Sequence, residues 1–294
     1  MPTRIERIHR GSLACWQIHT PGARLLVAEQ GAQLLEYGVR GEAPLIWLSR
    51  QAGYQTGQPV RGGVPLCWPW FGDLKRNPPA VQAMYRQPEA APFHGLARSV
   101  PWSLQDMVVQ GDALGLTFVP DPLTDWPHPL QVALEIHLDQ RLSLVLTTHN
   151  PGPQPVWLSQ ALHTYLAVAD IRQVRVPALA GCRYVDALRD WQAFIQPDAL
   201  TFAGETDRLY LDPPARLQVD DPAGRRRIYL EAQGSRSAVV WNPWTEKSRR
   251  LSQFDPQAWR QMLCIETANV LDDCVELAAG ARCQLGVSLW SGPA

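Results

Sequence analysis

"QVALEIHLDQRLSLVLTTHNPG", residues 131–152, is the stretch whose reading decides the fold class. Val132, Leu134, Ile136 and Leu138 alternate with Ala133, Glu135 and His137. After Asp139-Gln140, the same period returns in Leu142, Leu144 and Leu146. Successive side chains of a strand point to opposite faces, so a period of two gives one apolar and one outward face. Two such runs joined by a short polar break predict an antiparallel hairpin with one face buried.

Working outward, "RLLVAEQGAQLLEYGVR" (24–40) and "RRRIYLEAQGSRSAVVWNPW" (225–244) each read as strand, turn, strand, and "CQLGVSLW" (283–290) as a closing strand. Helical patterning is scarce: short helical turns are expected only at 186–195 and 256–262. The 26 prolines in 294 residues exceed the usual share of about 5%, and the 12 tryptophans are many. The proline-rich stretch "RNPPAVQAMYRQPEAAP" (76–92) reads as a loop. No internal repeat, low-complexity tract or linker divides the chain. The expectation is all-β: one large antiparallel β-sandwich of two sheets, forming a single domain over residues 1–294.

Composition narrows the function. At 46% hydrophobic and 19% charged, the chain can bury a sizeable core. A formal net charge of −1 gives no basis for binding nucleic acid or an anionic membrane. No apolar run approaches the roughly 20 residues that span a bilayer. "MPTRIERIHRGSLACWQIHT" lacks the apolar stretch of a signal peptide, so a cytoplasmic protein, a monomer, is expected. The six cysteines, at 15, 67, 182, 264, 274 and 283, form no Cys-x-x-Cys pair and are expected as buried free thiols. The seven histidines show no ligand spacing, so no metal and no cofactor is expected.

Chemistry concentrates in a few segments. "RGGVPLCWPWFG" (61–72) combines a charge, a flexible backbone and three large rings. Its glycines would let the backbone approach a ligand. Arg61, and Arg98 of "HGLAR", offer planar forks that suit phosphate or carboxylate, although surface arginines are common. The tryptophans of "CWPWF" and "VVWNPW" suit either a core or a stacking wall for a pyranose ring. In "VWLSQALHTYLAV", read as one strand, His163 shares a face with Trp157, Ser159, Ala161 and Tyr165, opposite an apolar face. It is either a cleft residue or a structural histidine bonded across the sheet. In "QMLCIETANV", Glu266 shares a face with Met262, Cys264 and Ala268. If buried, its pKa would rise toward the range of a general base; if on an edge strand, it would face water. Asp207, in "GETDRLY", is a loop aspartate on this reading.

Taken in order, these segments resemble the hexose-6-phosphate mutarotases (glucose-6-phosphate 1-epimerases) of the galactose-mutarotase-like superfamily. The resemblance runs from about residue 10 to residue 290. It rests on Arg61-Gly62-Gly63 with "CWPWFG", His94-Gly95-Leu96-Ala97-Arg98, Ala161-Leu162-His163-Thr164-Tyr165, Glu205-Thr206-Asp207-Arg208, Val239-Val240-Trp241-Asn242-Pro243-Trp244, and Cys264-Ile265-Glu266. It implies the supersandwich fold and anomer interconversion of a hexose 6-phosphate without a cofactor. It implies His163 as acid, Glu266 as base, Arg61 and Arg98 on the phosphate, and Asp207 on sugar hydroxyls, with His94 and Trp241 also in the substrate site. Two departures stand out: Phe93 occupies the position where the family typically carries a substrate-contacting glutamine, and the loop between Arg61 and Arg98 is long and proline-rich. Three alternatives stay open: a neutral-sugar mutarotase, a glycoside hydrolase using Glu266 and Asp207 as paired carboxylates, and a sugar-phosphate binding protein without activity.

Overall fold

The computed structural model describes residues 3–123 and 125–294. The decisive hairpin forms as expected. Gln131–Leu138 pairs antiparallel with Leu142–His149, and Leu134, Ile136 and Leu138 face Leu146, Leu144 and Leu142 across it. These side chains are buried, because the strand period places all of them on the inward face.

The hairpin belongs to a nine-stranded antiparallel sheet. Its order is Leu200–Thr201, Arg175–Val176, Arg216–Asp221, Arg226–Gln233, Arg282–Pro293, Leu142–His149, Gln131–Leu138, Ala113–Pro120, Trp102–Gln110. The closing strand of the sequence therefore lies at the centre of this sheet, between Arg226–Gln233 and Leu142–His149. A second, eight-stranded sheet runs Gln192–Ile195, Arg183–Asp186, Thr206–Leu211, Ser237–Asn242, Met262–Asn269, Gln160–Leu162, Leu66–Cys67, with Tyr165–Ala167 also pairing to Met262–Asn269. One hydrophobic cluster joins the two sheets: Leu134, Leu144, Val219 and Leu285 from the first with Tyr210, Val240, Leu263 and Ile265 from the second. Arg4–Arg10, Leu13–His19, Ala23–Ala28 and Leu34–Val39 form a further four-stranded sheet. No helix is long and apolar enough to cross a membrane among the described residues.

Several expectations need adjusting. Residues 24–40 form the expected hairpin. Residues 225–244 do form two strands, but Arg226–Gln233 pairs in the nine-stranded sheet and Ser237–Asn242 in the eight-stranded one. The turn between them is a corner connecting the layers. Gly234 sits there at φ +69, where a Cβ would lie 1.9 Å from the Gln284 carbonyl oxygen. The helical turn expected at 186–195 is instead a turn leading into Gln192–Ile195, which pairs with Arg183–Asp186; cross-strand pairing overrides the weak local pattern. The one at 256–262 survives as the 3-10 turn Ala258–Gln261. All six cysteines are free; Cys15, Cys67 and Cys264 are buried, and Cys182, Cys274 and Cys283 only partly so.

Candidate active site

Pleat and register gather the site on the face of the eight-stranded sheet opposite the main core. Asp207 pairs with Trp241, and Trp241 pairs with Cys264, two residues before Glu266. Tyr165 also pairs with Cys264. Side chains directly opposite, or two apart on one strand, share a face. Asp207, Trp241, Tyr165 and Glu266 thus line one wall of a cavity of about 420 Å³. Asp207 is accordingly a strand residue of Thr206–Leu211, not a loop aspartate.

His163 reaches the cavity differently from its sequence reading. Residues 156–168 are not one strand but three short ones, Val156–Leu158, Gln160–Leu162 and Tyr165–Ala167, which pair with different partners. His163 lies in the break, where its backbone N–H donates to the Pro65 carbonyl at 3.0 Å. Its ring stacks on Tyr165, centroids 4.8 Å apart and planes 7° apart. Its Nε2 is 3.4 Å from Glu266 Oε1. Glu266 is 2% exposed, because Met262–Asn269 is interior to its sheet. The edge-strand alternative therefore falls.

Burial sets the electrostatics. It pushes the Glu266 carboxyl well above the usual carboxylate range, with Asp207 adding to the rise. It pulls His163 down to about 3, helped by the positive charges of Arg98 and Arg61. Both shifts disfavour the charged forms. His163 Nδ1 and Glu266 Oε2 are buried with no hydrogen-bond partner in the protein. Asp207 is raised to about 6, chiefly by burial, while Lys247 opposes the rise; the ammonium lies 4.0 Å from Asp207 Oδ2 and 3.0 Å from Glu205 Oε1.

All seven residues singled out from sequence line this one cavity: Arg61, His94, Arg98, His163, Asp207, Trp241 and Glu266. Arg98 donates to the Phe93 carbonyl at 2.5 Å. Phe93 itself is 57% exposed at the cavity wall. The segment 61–72 behaves otherwise than expected. Gly62 and Gly63, at φ +112 and +71, approach protein and not ligand: a Cβ would lie 2.7 Å from the Trp47 carbonyl oxygen at Gly62 and 2.3 Å from that of Leu34 at Gly63. They seat Arg61 by letting its segment press onto neighbouring backbone. Trp68 and Trp70 are core, at 0% and 1% exposure; of the three large rings in "CWPWF" only Phe71 lines the cavity. Sequence reasoning missed Lys247, whose ammonium sits 5.9 Å from the Trp241 ring centroid, and the Arg76–Trp191 pair at 5.6 Å. Neither carries a motif. Among the described residues no cluster of His, Cys, Asp and Glu has the arrangement of a metal site.

The fold is that of the galactose mutarotase-like proteins. A crystal structure titled as a "putative mutarotase" from Salmonella typhimurium superposes with a TM-score of 0.89 at 27% identity, covering 99% of this chain and 94% of that one. The chain belongs to the aldose 1-epimerase family, whose model matches residues 14–290. A protein of Escherichia coli (strain K12) named "Putative glucose-6-phosphate 1-epimerase" is 32% identical over 253 residues, 84% of this chain and 80% of that protein. A protein of the same name from Salmonella typhimurium is 31% identical over 252 residues, 84% and 80%.

Proposed function

We propose that this protein is a mutarotase that interconverts the α and β anomers of a hexose 6-phosphate, with glucose 6-phosphate as the substrate suggested by its relatives' names. The observation that carries the reading is the buried His163–Glu266 pair, 3.4 Å apart, in a cavity that also holds Arg61 and Arg98. Glu266 acts as base, His163 as acid, the two arginines bind the phosphate, and Asp207 and Trp241 hold the sugar.

The shifted pKa values set where the pair's one proton rests: burial holds the pair as neutral imidazole and carboxylic acid, and ring opening starts once that proton stands on His163, giving imidazolium and carboxylate. Glu266 removes the proton from the anomeric hydroxyl while His163 gives one to the ring oxygen. The bond from the anomeric carbon to the ring oxygen breaks, and an aldehyde forms. The pair is then neutral imidazole and carboxylic acid. Burial favours that uncharged state, so ring opening returns the pair to its resting form. The aldehyde end rotates, both protons return, and the ring closes on the other face. Positioned proton transfer contributes roughly 10²–10⁴-fold.

The test is exchange NMR of the two anomers of glucose 6-phosphate, with and without the protein, against glucose as the neutral control. Accelerated exchange of the phosphorylated sugar supports the reading. Equal acceleration of glucose favours a neutral-sugar epimerase, and no acceleration of either rejects the enzyme.

A further inference from the structure

We infer that the turn 29–33 of the four-stranded sheet is a positioning element that sets the spacing of Arg61 and Arg98, and with it the recognition of a phosphate group. This deepens the proposed function and rests on it for the phosphate role of the two arginines. The turn joins Ala23–Ala28 to Leu34–Val39, outside the eight-stranded sheet that carries Asp207, Trp241 and Glu266. Its Gln33 is 2% exposed, so it acts from behind the cavity wall and does not touch substrate.

Each arginine is reached by a different residue of the turn. The Gln33 amide nitrogen lies 3.2 Å from the Val60 carbonyl oxygen and 2.6 Å from that of Gly62, the two residues that flank Arg61. Both carbonyls can only accept, so the atom facing them is the nitrogen, and both its hydrogens are used. Gly31 meets the other arginine. Its N–H donates to the Val100 carbonyl at 2.8 Å. A Cβ there, at φ +71, would lie 3.0 Å from the Arg98 Cα and 3.0 Å from the Arg98 carbonyl oxygen. Gln30 fixes the approach to Arg61: its amide donates to the Gln58 carbonyl at 2.8 Å, and its Oε1 accepts from the Gly57 N–H at 2.7 Å. The turn is itself tied down. The Trp102 N–H donates to the Glu29 carbonyl at 2.7 Å, and Arg7 donates to both Glu29 carboxylate oxygens at 2.6 and 2.8 Å.

The charges explain why such a brace is needed. Burial pulls the Arg98 guanidinium below its ordinary range, and the Arg61 charge adds to the fall. Like charges facing one cavity repel. Bonds to the backbone behind both segments hold them together before the anion arrives, so binding does not have to assemble the pair.

The test uses two variants of the full-length protein. Q33L removes both donors at similar size, and G31A keeps every hydrogen bond but presses on Arg98. Inorganic phosphate is titrated into each by calorimetry, and KM and kcat for glucose 6-phosphate are read from anomer-exchange NMR. Each variant should weaken phosphate binding and raise KM about tenfold, the scale of one lost hydrogen bond, with a smaller change in kcat. A loss of folded protein alone would lower kcat at unchanged KM, and that pattern overturns the inference. The decisive comparison is a double-mutant cycle. In an R61A background Q33L should cost little further phosphate affinity, because its effect runs through Arg61; full additivity overturns the inference. If Q33L does not fold, G31A carries the same cycle with R98A. The phosphate titration needs no turnover. Failure of the proposed function would appear as an absence of anomer exchange in the parent protein, whereas a parent that binds no phosphate, or variants that bind it as the parent does, would overturn the inference.

Discussion

Glu266→Gln should stabilise the protein at neutral pH while removing its activity. The folded-state pKa of Glu266 lies well above its ordinary 4.5 because of burial and Asp207. Below about pH 4.5 both folded and unfolded chains hold the proton, and the carboxyl exerts no pH-linked penalty. As pH rises, the unfolded chain ionises first, so stability falls until pH passes the folded value. Each unit of elevation costs about 1.4 kcal/mol above that window. With an unfolding entropy of about 2.1 cal/mol/K per residue over 294 residues, one unit corresponds to about 2 °C in Tm. Glutamine keeps the shape and still faces His163, but cannot ionise. The Tm advantage of the variant should therefore be smallest near pH 4 and grow toward pH 8, followed by calorimetry. In anomer-exchange NMR, kcat should fall about 10²–10⁴-fold. A Tm difference that does not change with pH, or turnover within tenfold of the parent, would refute the reasoning.

Arg61→Ala and Arg98→Ala should each lower the ratio of kcat/KM for glucose 6-phosphate over glucose by about 10- to 150-fold, the loss of one charge-assisted bond; a constant ratio would point to a neutral-sugar epimerase. Gly63→Ala places a Cβ 2.3 Å from the Leu34 carbonyl oxygen at φ +71, and should cost about 1–3 kcal/mol or more in denaturant unfolding; an unchanged midpoint would mean this segment yields easily. Lys247→Met removes the cation that opposes the rise of Asp207 to about 6, so the Asp207 carboxyl should titrate at still higher pH in carbon-13 NMR, and a downward move would show that burial does not dominate there.

Much of this architecture was legible because period-two patterning survives wherever a strand has one buried face. The hairpin at 131–149 is of that kind, whereas the strands Ala23–Ala28 and Leu34–Val39 are buried on both faces and were legible as apolar runs on either side of a turn. The segment 156–168 was not legible as it stands, because three short strands with different partners hide behind one apolar alternation. Buried Gln160 and Thr164 break the alternation: the Gln160 amide donates to Asn269 Oδ1, remote in sequence, and the Thr164 hydroxyl to the Leu162 carbonyl. The strand at 192–195 is set by its neighbour Arg183–Asp186, a contact that local pattern does not encode. At the site, residues borne on recognisable segments converge on one cavity, whereas Lys247 enters from the short helix Trp244–Ser248 and Trp191 from a turn. Their place depends on the path of the backbone. The glycine pair at 62–63 was visible as a need for close approach; that the approached object is protein backbone only the packing reveals.

The position of Arg282–Pro293 at the middle of the nine-stranded sheet has a consequence for how the chain acquires its structure during synthesis. The strands on its two sides, Leu142–His149 and Arg226–Gln233, are made earlier but have no direct pairing with each other. Until this strand arrives, the sheet is two separate pieces, each exposing an unpaired edge. Loop closure on this scale is slow, and open edges invite association with other chains. Nascent protein should therefore be sensitive to protease and dependent on protection up to the addition of its last strand, and resistance should then appear in one step.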